Sequence, residues 1–143
     1  MTLFQKVLNN YRLKGKITIT PISGRPDKLM DDMPRGSNHY KFSVSIGRKR
    51  FSGYYSAGPG IKHAPDADDI FASLISDAGT YSSTGDIGSF ANEFGYEMYE
   101  PEIRRKATRI FKAVEKTHKF LSSVFSESGM REIWELYAES GKL

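Results

Sequence analysis

The chain contains no cysteine. Disulfides, thiolate zinc sites and a cysteine nucleophile are thereby excluded, and a reducing compartment is expected. Long apolar runs are missing too: the first apolar pair, Leu3-Phe4, is broken at once by Gln5 and Lys6. Neither a secretory leader nor a membrane span is expected, which points to a cytoplasmic protein with no membrane partner. Negative charge is scarce at the front. Residues 1–63 carry 12 Lys/Arg against 3 Asp, a net charge of +9, whereas residues 64–143 carry 9 Lys/Arg against 14 Asp/Glu, a net charge of −5. Two readings of this division stand side by side: a basic half steering an anionic partner, or two halves attracting each other within one fold.

The 143 residues suit a single domain spanning 1–143, long enough to bury a core, with a basic sheet-rich part (1–63) and an acidic helical part (64–143). An aromatic share of 13% argues against disorder. Leu3, Phe4, Val7, Leu8 and Tyr11 recur at helical spacing and predict a short helix over 2–12, opened by a Thr2/Gln5 capping box and ended by Gly15. Residues 16–22 alternate with β-branched side chains and predict a strand over 16–22 that closes around Pro21. A Gly-, Pro-, Asp- and Ser-rich loop over 23–38 leads into a second alternating strand, 39–46, which Gly47-Arg48-Lys49 turns into a third, 50–56. Helical periodicity follows over 66–78, 87–94, 101–125 and 129–139, with Asp66 and Asp69 capping the first of these helices. Strands first and helices after predict an α+β fold, a three-stranded antiparallel sheet packed against several helices.

The most distinctive stretch is Met30–Lys41, where turn formers, an acidic pair, Arg35 and His39 crowd ahead of a strand. His39 offers a general base or a phosphate contact; alternatively it orders the loop through a hydrogen bond. His63 lies near Asp66, Asp68 and Asp69, a set better explained by helix capping than by metal ligation, and His118 is expected to face solvent. Gly58-Pro59-Gly60 joins a strand to a helix, but it lacks the Walker spacing and reads as a plain turn. The predicted strands contain no acidic residue, which weighs against a metal-dependent nuclease, and no His-Glu-x-x-His occurs. We therefore expect a non-enzymatic protein with no catalytic residues, no metal and no cofactor. The basic residues are the better lead. Lys41, Arg48, Lys49 and Arg50 gather on the hairpin, Arg25, Lys28 and Arg35 precede it, and Tyr40, Tyr54 and Tyr55 interleave with them. The expected contact set is Arg35, His39, Lys41, Arg48, Lys49, Arg50, Tyr54 and Tyr55. A plain hairpin with charged edges, where lysine discourages aggregation, is the competing reading.

The string Met33-Pro34-Arg35-Gly36-Ser37-Asn38-His39-Tyr40, followed by a strand and Tyr55-Ser56-Ala57-Gly58, resembles a group of short uncharacterised proteins encoded by tailed phages and prophages. The likeness continues through Pro65–Asp69, Ser76-Asp77-Ala78, Phe94-Gly95-Tyr96 and Arg104-Arg105-Lys106-Ala107, covering roughly residues 16–113. Departures fall at packing and capping positions: that group more often has Phe-Ser-Met-Gly at the hairpin end, Thr at the Asp66 cap, and cysteines. No catalytic roles carry over from the group. The resemblance implies a phage origin and, with it, an accessory protein of the bacterial host cytoplasm that acts by binding. The expectation is an inhibitor of a bacterial defence system, such as an anti-CRISPR protein, whose partner is a defence effector or another host protein complex. A basic accessory protein that binds nucleic acid is the alternative. The basic charge argues against DNA mimicry.

Overall fold

A computed structural model describes residues 1–143. In chain order it holds α1 (Leu3–Asn10), β1 (Gly15–Ile22), a 3-10 turn (Lys28–Met30), β2 (Asn38–Ile46), β3 (Lys49–Ala57), α2 (Ala67–Thr84), α3 (Ile87–Phe94), α4 (Pro101–Val124) and α5 (Glu127–Glu139). The protein is α+β, with one antiparallel sheet in the order β1-β2-β3. The chain divides into two compact units, residues 1–73 with 137–143, and residues 74–136, so the boundaries fall within α2 and α5. No helix is long and apolar enough to cross a membrane.

In the first unit, alternation decides which face of the sheet is buried. Tyr40, Phe42, Val44 and Ile46 of β2 are buried, while Lys41 and Ser43 between them are exposed. Ile17, Ile19 and Pro21 of β1 lie opposite Val44, Phe42 and Tyr40, and Phe51, Gly53 and Tyr55 of β3 flank the other side. β1 reaches Ile22, as the expected 16–22 strand does, and it carries Pro21 near its end because an edge strand can leave the donor-less side of a proline unpaired. The hairpin turns on Gly47-Arg48, with Gly47 at φ 59°, the positive φ that a type II′ turn needs at its first central position.

Gly53 has a different task. A Cβ there would stand 2.9 Å from Cζ of the buried Phe42 ring directly across the ladder. Gly53→Ala is expected to cost about 1–3 kcal/mol by overpacking, read as a lower urea midpoint at unchanged slope. An unmoved midpoint would show that the ring yields freely.

Helix α1 stops earlier than its periodicity predicts, and Gly15 is not its terminator. Arg12 adopts the left-handed turn at φ 55°, and Leu13 N–H returns to Leu8 C=O at 2.8 Å. Gly15 instead opens β1, where a Cβ would meet the Ser45 carbonyl oxygen at 2.6 Å. The start of α1 is fully capped. The Thr2/Gln5 box forms as expected, with Gln5 N–H donating to Thr2 Oγ1 at 3.1 Å. The two N–H groups that this box leaves over, on Leu3 and Phe4, donate to the Asp68 carboxylate at 3.2 and 2.9 Å. The hydroxyl of Tyr137, a fully buried residue, donates to the same carboxylate at 3.0 Å. Phe71 packs between Phe4 and Tyr137, with ring centroids 4.9 and 5.6 Å away.

In the second unit, α2 runs six residues beyond the predicted stop at 78. Thr80 and Thr84 hydroxyls bond back to the carbonyls of Ser76 and Thr80, so residues that punctuate a sequence are absorbed into the helix. Trp134 packs over Gly79, its indole nitrogen at an ordinary contact distance of 3.6 Å from where a Cβ would stand. Gly85, at φ 77°, ends the helix. Asp86 caps α3 through Ser89 N–H at 2.8 Å, Gly95 stops it at φ 74°, and Pro101 opens α4. Phe90, Ala107, Phe111 and Val114 form a buried cluster, with Tyr81, Ile87, Tyr96, Met98 and Ile110 packed around it.

Candidate binding surface

The strand register lays out the solvent-facing side of the sheet as four rows. Lys16, Ser45 and Arg50 form the first, Thr18, Ser43 and Ser52 the second, Thr20, Lys41 and Tyr54 the third, and Ile22, His39 and Ser56 the last. Lys16, Thr18, Thr20, Lys41, Ser43, Arg50, Ser52 and Tyr54 are all exposed. None of the cations in these rows forms an ion pair, and no strand contributes a carboxylate.

The first row also marks the edge of a denser basic region. Gly15 pairs with Ile46, and Gly47 N–H donates to Lys14 C=O at 2.8 Å, so the α1–β1 connection lies beside the hairpin turn. Arg12, Lys14 and Lys16 thus join Arg48, Lys49 and Arg50 at one end of the sheet, all exposed. Sequence reading found the hairpin cations but missed the first three. They are more than thirty residues away in the chain, and only the ladder makes them neighbours.

Among the expected contact residues, Lys41, Arg50 and Tyr54 share the open face, and Arg48 and Lys49 stand at its basic end. Tyr55 does not join them. Strand alternation turns it to the opposite face, half-buried, where burial and then the Asp69 and Asp66 carboxylates raise its phenol pKa. His39 is only 8% exposed, and its Nδ1 lies 2.7 Å from Ser56 Oγ on the adjoining strand. No carboxylate orients its ring, so it ties β2 to β3 at the covered end of the face. Arg35 is exposed in the loop before β2.

Arg25, grouped by sequence with the free basic residues, is occupied within the protein. Its guanidinium donates to the carbonyls of Met30 (2.6 Å), Asp31 (3.2 Å) and Pro34 (3.2 Å). Ser37 closes the same loop through its N–H and its hydroxyl, both donated to Pro34 C=O. The Met30–Lys41 stretch is therefore built around satisfied loop carbonyls, and Arg25, outside the motif, does most of the satisfying.

The other histidine environments also resolve. Asp66 and Asp69 bond each other's backbone N–H at 2.9 Å as the capping pattern predicts, and Lys142 lies 3.4 Å from Asp69. His118 does not face open solvent. Its ring packs at a tilt against Tyr81, centroids 4.7 Å apart, and its Nε2 is 3.3 Å from Glu127 Oε1. Gly58-Pro59-Gly60 is the plain turn expected, with Ile61 N–H returning to Gly58 C=O at 3.3 Å. The chain matches no protein-family model, no curated protein and no solved structure.

Proposed function

We propose that this chain is a non-enzymatic accessory protein of the phage type that inhibits a bacterial defence system by direct binding, an anti-CRISPR protein being its most specific form. The basic end of the sheet is the docking surface in this reading. The observation that carries it is the convergence of six exposed cations, Arg12, Lys14, Lys16, Arg48, Lys49 and Arg50, with no carboxylate on any strand. A surface of one sign speeds and orients encounter with a partner of the other sign. The partner is thus an anionic face of a host effector, which in a nucleic-acid-guided complex includes the bound strand. Non-enzymatic action accords with His39 being held by Ser56 and lacking an orienting carboxylate. The alternative, a nucleic-acid-binding accessory protein with no effector target, is favoured by the hydroxyl-lined open face beside the same cations.

Capture from bacterial lysate, with and without nuclease, tests the inhibitor reading, alongside plaque counts on hosts carrying defined defence systems. Replacing Arg48, Lys49 and Arg50 together by alanine is expected to lower effector recovery and phage rescue by roughly tenfold or more, since each rim cation acts mainly on association. All three side chains are exposed, so the fold should persist. Rescue of no phage from any defence system, or undiminished rescue by the triple variant, would sink this reading.

A further inference from the structure

We infer that the open face of the β1-β2-β3 sheet binds single-stranded nucleic acid, its phosphates on Lys16, Lys41 and Arg50 and a base stacked on Tyr54. The inference rests on the basic end being a docking surface and names the partner chemistry of that surface.

Lys16 and Arg50 occupy one row of the face and Lys41 lies two rows away, next to Tyr54. Same-face positions along a strand repeat at about 6.8 Å, so these cations form a track rather than a point. A track suits a polymeric anion better than a single small one. Between them, Thr18, Thr20, Ser43, Ser45 and Ser52 present hydroxyls that bond to no protein group. Small hydroxyl side chains leave the face shallow and offer donors to phosphate and sugar oxygens. Tyr54 is 37% exposed and has Lys41 directly across the ladder, so a base can stack on its ring while the ammonium meets the neighbouring phosphate.

Shape separates single strands from duplex. A groove of double-stranded DNA admits a helix or a protruding two-stranded ribbon, whereas here the aromatic and all three cations lie on the broad face of three paired strands. Stacking on Tyr54 also needs an unpaired base. The continuing run of cations at Arg12, Lys14, Arg48 and Lys49 extends the track beyond the first row.

Fluorescence anisotropy of the full chain with labelled dT20, rU20 and a 20-base-pair duplex, titrated across salt, tests this. Either single strand is expected to bind more tightly than duplex, and Tyr54→Ala should weaken single-strand binding roughly tenfold. The combined variant Lys16→Ala, Lys41→Ala, Arg50→Ala should flatten the dependence of log K on log salt by about 2, because each phosphate neutralised on a single strand contributes about 0.7 to that slope. A control carrying Arg105→Ala and Arg109→Ala, exposed cations of α4, should bind as the parent does. Absence of single-strand binding, a preference for duplex, or indifference to the sheet variants overturns the inference. If effector capture survives that failure, the inhibitor reading stands without it; strand binding without any effector capture has the opposite consequence.

Discussion

Replacing Asp68 by alanine is expected to remove about 3–5 kcal/mol of stability, because three donors lose one shared acceptor and each buried unsatisfied donor costs about 1–3 kcal/mol. One carboxylate satisfies Leu3 N–H, Phe4 N–H and the Tyr137 hydroxyl, and so joins the first turn of α1, the first turn of α2 and the last turns of α5. The two N–H groups belong to the positive end of α1, where a carboxylate is favoured by the helix dipole as well as by hydrogen bonding. Alanine leaves a fully buried tyrosine hydroxyl and two helix-end donors without an acceptor. A domain stabilised by roughly 5–15 kcal/mol would lose a large share of its margin. Urea unfolding should show a lower midpoint with little change in slope. Tyr137→Phe should cost less, about 1–2 kcal/mol, because the carboxylate keeps two donors and the ring still packs against Phe71. Combining the two substitutions should cost less than the sum of each alone, since they share one interaction. Strict additivity would show that Asp68 and Tyr137 act separately.

Asp77→Asn is expected to raise stability by about 2–3 kcal/mol at pH 7–8 and to leave it unchanged near pH 4. Asp77, half-buried on α2, has neither an ion pair nor a hydrogen bond, and burial pushes its carboxyl pKa up to about 6. A folded-state pKa above the unfolded value means that the native state holds the proton more tightly. The native state is therefore free of penalty below pH 4, loses stability as pH rises from about 4 through 6, and carries the full cost of a desolvated carboxylate beyond that. Asparagine matches the neutral form at every pH, so the variant and parent should coincide in acid and diverge above pH 6. For a chain of this size the gap at neutral pH corresponds to a melting temperature roughly 6–12 °C higher. Parallel pH profiles for the two proteins would refute this account of Asp77.

How much of this was legible beforehand depended on the range of the interaction. Period-two alternation in β1 and β2, the helical stripe of α4 and the Asp86–Gly95 brackets of α3 are signals written within a few residues, and each element lies where its pattern places it. The errors came from residues whose local meaning was overridden. Gly15 reads as a helix stop, yet it is needed where β1 meets the Ser45 carbonyl. Thr80 and Ser83 read as a loop, yet their hydroxyls bond back into α2. Arg25 reads as a free cation, yet its planar fork is occupied by three carbonyls. His118 lies between basic residues in the chain, but Tyr81 and Glu127 claim it in space.

By itself the sequence determined the α+β class, the antiparallel hairpin, the buried face of β2 and the excess of positive charge in the first 63 residues, because propensity, periodicity and composition act locally. Tertiary structure decided the rest. It set Arg12, Lys14 and Lys16 beside Arg48–Arg50, turned Tyr54 outward and Tyr55 inward on a shared register, and gathered three donors onto Asp68. The physical reason is that strand register and buried hydrogen bonding couple residues tens of positions apart, and no local pattern records which distant group will complete them.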